Sequence, residues 1–97
     1  MGDRVEVENV NHPGRTERVD AAKYAAIRDL MLAALPQGAP GLTGAQIKDA
    51  LRPDLPQDLF PGGATLGWWA KSVQLDLEAK GLVQRAPTRP LTFFRPT

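Results

Sequence analysis

Residues 63–85, GATLGWWAKSVQLDLEAKGLVQR, decide the fold. They read as one helix, a glycine stop at Gly81 and the start of a strand, and they set Trp68 and Trp69 side by side. Each residue advances about 100° around a helix, so neighbours in sequence cannot share a face. On that wheel Leu66, Trp69, Ala70, Val73 and Leu77 gather within roughly a quadrant or a little more, and this is the face expected to be buried. Trp68, Leu75 and Ala79, with Ser72 beside them, form a second stripe more than about 120° from the centre of the first. Lys71, Gln74 and Glu78 lie between the two as a narrow polar strip. A helix that is apolar on two sides needs two covers. The chain's own core supplies one. For the other, the sequence offers the N-terminal strand with its valines, a second copy of the chain, or, at Trp68 alone, a base stacked on the indole.

Gly81 accepts left-handed backbone angles and ends the helix, which is expected over 64–80. Leu82-Val83 starts a strand, APTRP turns with two prolines, and LTFF returns, giving a hairpin over 82–95. Upstream, Thr43 and Gln46 have the spacing of a capping box and open a short helix over 43–52, since Arg52 precedes Pro53. Asp20 is placed to cap a first helix over 20–35, whose stripe is Tyr24, Ile27, Met31 and Leu35. The arm 1–19 begins with VEVENV. There Val5 and Val7 alternate with Glu6 and Glu8 as in a half-buried strand, and Pro13-Gly14 suits a type II turn. TERV is either a return strand or an extended lead into the first helix. The connector RPDLPQDLFPGGA is long, with Leu55, Leu59 and Phe60 expected against the core and a single helical turn around PQDLF. Gly62-Gly63 lacks the strand and the Lys-Ser pair of a phosphate loop.

Three helices followed by a two-stranded hairpin make an α+β chain, mainly α, with the order of a winged helix-turn-helix. The C-terminal hairpin is the wing, and the leading strand is a candidate to extend it. The connector exceeds the three or four residues of a tight helix-turn-helix, which is expected to tilt the third helix. At 97 residues, 1–97 reads as a single domain.

Composition narrows the chemistry. The chain has no cysteine, which excludes disulfides, thiolate metal sites and cysteine nucleophiles. His12 is the one histidine and sits in a turn, and carboxylates do not cluster, so no metal site is expected. Ser72 is the one serine and has no histidine at helical spacing to activate it. Asp76 and Glu78, two apart on a helix, are poorly placed for paired acid–base work. The expectation is a non-enzymatic protein without cofactor. The N-terminus has no apolar signal segment and no apolar run approaches the roughly 20 residues of a membrane span, so a cytoplasmic location is expected.

Charge points to partners. The net charge is +1, yet residues 1–20 carry three Arg against five acids, while residues 63–97 carry five basic residues against two acids. A winged helix presents the third helix to the major groove and the wing to phosphates. The matching residues for double-stranded DNA are Lys71, Ser72 and Gln74 on the helix and Arg85, Arg89 and Arg95 on and after the wing. The rival is a protein-interaction or homodimerisation module using Trp68, Leu75 and Ala79.

The string VENVNHPG…RVDAAKY…APGLTGAQI…LFPGGA…GWWAKSVQLDLEAKG resembles a family of small uncharacterised bacterial proteins over nearly the whole chain. More loosely, GWWAKSVQLDLEAKGLVQR followed by a hairpin is similar to the N-terminal winged-helix domain of restriction endonucleases that act on modified DNA. There a glycine-tryptophan-alanine start leads to an alanine-glycine-leucine corner. The present chain has a few more residues between Trp69 and Gly81, and no nuclease domain follows in it. The second resemblance implies the winged-helix fold and, through it, a nucleic-acid partner.

Overall fold

The computed structural model describes residues 3–96. The arm is a hairpin of its own. Strand β1 (Arg4–Glu8) pairs antiparallel with β2 (Thr16–Asp20), with Val5 opposite Val19 and Val7 opposite Glu17. The turn between them is closed by Arg15 N–H donating to the His12 carbonyl at 3.2 Å, with Gly14 at φ 88°. That is the positive angle a type II turn requires after Pro13. TERV is therefore a return strand. The leading strand does not extend the C-terminal hairpin, as the sequence suggested. Among the described residues its ladder runs to β2 alone, and Val7 and Val19 turn inward onto the core.

Helix α1 (Ala21–Ala34) starts where the Asp20 carboxylate accepts the Lys23 amide at 2.9 Å. Tyr24, Ile27, Met31 and Leu35 are all buried, as the stripe predicts. A two-residue strand, β3 (Leu42–Thr43), precedes α2 (Gly44–Leu51). The capping box is complete: Gln46 N–H donates to Thr43 Oγ1 at 3.1 Å, and Thr43 N–H donates to Gln46 Oε1 at 2.9 Å. The connector holds two 3-10 turns, Arg52–Asp54 and Pro61–Gly63, with a hydrogen-bonded turn at Pro56–Phe60 between them. Leu55 and Phe60 are buried beneath it.

Helix α3 (Leu66–Ala79) ends on Gly81 at φ 78°, where Leu82 N–H donates back to the Leu77 carbonyl at 2.9 Å. This is the six-to-one bond of a glycine C-cap. Two short strands follow, β4 (Gln84–Ala86) and β5 (Thr92–Phe94). The second sheet is antiparallel in the order β3-β5-β4, with Phe93 facing Leu42 on one side and Arg85 on the other. Strand β3 is not expected from the sequence. Gly41, at φ 84°, makes it possible, because a Cβ there would collide with the Phe93 carbonyl. Gly41→Ala is expected to cost more than about 1 kcal/mol by urea denaturation, whereas the same change at Gly44, with open space and ordinary angles, is tolerated.

The architecture of the described residues is α+β: three α-helices around one core, with a two-stranded N-terminal sheet and a three-stranded sheet that joins β3, from between α1 and α2, to the C-terminal pair.

Candidate functional site

Helix α3 organises the molecule, because each of its sides meets something different. Leu66, Trp69, Ala70, Val73 and Leu77 are buried in the core. Trp69 packs edge-on to Phe60, ring centroids 6.2 Å apart, and is 7% exposed. Trp68 stands edge-on to Trp69 at 5.1 Å and is 48% exposed. The two tryptophans thus divide as the wheel predicts. The second stripe is partly covered by its own chain. Ser72 and Leu75, both half-buried, face the β1–β2 hairpin across a cleft whose other wall includes Val7, His12 and Arg15. Trp68 and Ala79 remain exposed.

Asp76 carries a structural role that its lone place among the residues of α3 does not announce. It is fully buried and gathers three donors: the Tyr24 hydroxyl from α1, the Glu8 main-chain N–H of β1 at 2.8 Å, and the Lys80 ammonium. Lys80 also reaches Glu8 Oε2 at 3.2 Å. One carboxylate therefore ties the hairpin, the first helix and the third together. A signal was present. Asp76 lies three residues after Val73 and seven after Trp69, inside the buried arc, and Tyr24 brings a phenol to a buried stripe where it needs an acceptor.

Burial, then the hydrogen bond to Asp76, raises the Tyr24 pKa well above the ordinary phenol value. For Lys80, burial opposes the charged form, but hydrogen bonds to Asp76 and Glu8 outweigh it and the pKa rises. Both groups hold their protons more tightly folded than unfolded. The stability they contribute is fully present below about pH 10 and is lost as pH climbs past that value. Resistance to urea is expected to fall across that alkaline range. Tyr24→Phe, which removes the one tyrosine, should flatten the fall. An unchanged alkaline limb in that variant would place the phenol outside the network.

The residues read from sequence as a nucleic-acid surface separate. Lys71 is exposed on α3 and Arg89 is exposed at the tip of the β4–β5 hairpin, and neither makes an ion pair among the described residues. Ser72 sits in the cleft under the N-terminal hairpin. Three others are covered or engaged within the chain. Gln74 is not on an exposed strip: it is 3% exposed, and its Nε2 makes no hydrogen bond. Arg85 is engaged by Glu78 through two bonds, Nε to Oε1 at 3.0 Å and a terminal guanidinium nitrogen to Oε2 at 2.6 Å. The bond to Glu78 raises the Arg85 pKa, outweighing its partial burial. Arg95 donates from Nε to the Leu35 carbonyl at 2.8 Å, tying the end of α1 to the end of β5. Gln74 and Glu78 fall inside the buried part of α3: Gln74 lines a groove with α2 residues and Phe93, and Arg85 folds back onto Glu78.

No set of three or more His, Cys, Asp or Glu side chains is grouped to hold a metal ion among the described residues. No helix there is long and apolar enough to cross a membrane. Residues 4–93 match the model of a family of unknown function, DUF6958. Neither the curated proteins nor the solved structures contain a match to the chain.

Proposed function

We propose that this chain, which belongs to that family, is a winged-helix module that acts by docking rather than by catalysis, and that its partner is a second copy of itself. The fold reading is supported by the order helix, strand, helix, helix, strand, strand, with β5 central between β3 and β4. The docking reading rests on one observation. Trp68 is a large aromatic held edge-on against a buried neighbour, and 48% of it still meets solvent. A tryptophan fixed before contact loses little side-chain freedom on binding, and such residues dominate interface energies.

Of the outer stripe, Ser72 and Leu75 face the β1–β2 hairpin, while Trp68 stays exposed beyond it. A two-fold contact centred on Trp68 covers the indole of each copy without displacing the hairpin. Sedimentation of wild type and Trp68→Glu tests this. Wild type is expected to be dimeric at micromolar concentration and the variant monomeric, with the fold stability changed by no more than about 0.5 kcal/mol, as for a surface position.

A second reading has its own support. The acids of α3, Asp76 and Glu78, both turn inward, so its exposed side carries Lys71 without a free carboxylate, and Arg89 extends the positive charge to the hairpin tip. That surface suits the phosphates of a duplex. Anisotropy with labelled duplex DNA at low and moderate salt, for wild type and the pair Lys71→Ala and Arg89→Ala, decides it. Salt-dependent binding that the pair weakens supports a duplex partner, and binding indifferent to salt or to both changes rejects it.

A further inference from the structure

We propose that the groove between α2, α3 and β5 is a binding site for a small apolar monocarboxylate. The groove has a volume of about 380 Å³, within the range of small-molecule sites. Its walls are apolar and low: Ile47, Ala70 and Phe93 are buried, Leu91 is exposed at the rim, and Gly44 and Gly67 add no side chain. An aromatic or short aliphatic body fits such a surface.

Two features specify the polar end. Gln74 lines the groove, is almost wholly buried, and its Nε2 donates to nothing. A buried amide donor without an acceptor is costly, so Gln74 is short of one acceptor oxygen, and a ligand seated in the groove it lines can supply it. The charged side chains that line it are Lys48 of α2 and Lys71 of α3, both positive. Neither makes an ion pair among the described residues. A neutral carbonyl would answer the amide alone. A carboxylate answers the amide with one oxygen and the ammonium groups with its charge, so a carboxylate is favoured over a carbonyl. The inference stands apart from self-association, since Gln74 and the groove lie on the α2 flank of α3 and Trp68 is not among its lining residues.

The test titrates the isotopically labelled full chain with 3-phenylpropionate and with its neutral amide, 3-phenylpropionamide, and follows amide resonances. The carboxylate is expected to shift the Gln74 side-chain amide pair together with the backbone amides of Gly44 and Gly67. The neutral probe should bind about tenfold more weakly, the loss of one charge-assisted contact. Gln74→Leu should abolish the shifts at Gly67 while the spectrum stays dispersed. Lys71→Gln, a surface change that does not threaten folding, should weaken the carboxylate several-fold and leave the amide probe unaffected. Equal binding of the two probes overturns the proposal, as do shifts that avoid Gln74, an undiminished affinity in Lys71→Gln, or no shift with millimolar carboxylate.

Discussion

Asp76→Ala is expected to destabilise the fold by about 3–5 kcal/mol, a large share of the roughly 5–15 kcal/mol that holds a domain of this size together. The reason is the company that carboxylate keeps. Removing it strands the Tyr24 hydroxyl and the Glu8 N–H, and leaves the Lys80 ammonium with Glu8 alone. The three contacts are unequal. Lys80 is more than a third exposed, so solvent screens its pairing, and Lys80→Ala should cost less than about 1 kcal/mol. Tyr24→Phe removes one buried donor while keeping the ring, and should cost about 1–3 kcal/mol. Urea denaturation of the three variants therefore predicts an order, Asp76→Ala worst and Lys80→Ala mildest. A loss below about 1 kcal/mol for Asp76→Ala, or the reverse order, would mean that the carboxylate does not join the hairpin to the helices.

Trp69→Ala is expected to cost about 3–5 kcal/mol, the range for truncating a large core aromatic. Its ring fills the space between Phe60 of the connector and the inner side of α3, so truncation opens a cavity and loosens the long link between α2 and α3. Trp68→Ala supplies the contrast within the same dipeptide. That ring is half in solvent, and measured on the monomer its removal should cost less than about 1 kcal/mol. Equal losses at the two positions would contradict the division of α3 into an inner and an outer side.

Much of this was legible in the sequence because it depends on local periodicity and local chemistry. The inner face of α3, the capping box at Thr43, the Asp20 cap, the Gly81 stop and the turn at Pro13-Gly14 each follow from a residue and its near neighbours. What escaped depends on distant segments. Strand β3 is two residues long and has no period to detect, and it exists because β5 arrives beside it and Gly41 lets the backbones approach. Gln74 and Glu78 look solvent-facing on a wheel drawn for α3 alone. Both are buried in the folded chain: Arg85 of the following hairpin folds back onto Glu78, and Gln74 lies in the groove beside α2 and Phe93. Arg95 is spent on the end of α1 for the same kind of reason. A wheel shows which side of a helix is apolar. How wide the buried arc is depends on what packs against it.

The β1–β2 hairpin shows the same dependence. Its valines mark a strand pair, but their destination was open between extending the wing and covering the second stripe of α3. Asp76 and Val7 decide it, the first by holding the Glu8 amide and the second by turning into the core beside α3. The hairpin leaves Leu75 half covered and does not bury Trp68.

Whether a second copy covers Trp68 can be read from the indole itself. The chain holds two tryptophans, so Trp69→Phe leaves Trp68 as the sole indole emitter. Fluorescence of that variant should be followed from nanomolar to high micromolar protein, with Trp68→Glu in the same background as the blank. If a second copy covers Trp68, the emission maximum moves to the blue as concentration rises and saturates where sedimentation reports the dimer. Emission that stays at the wavelength of a water-exposed indole at every concentration would contradict it.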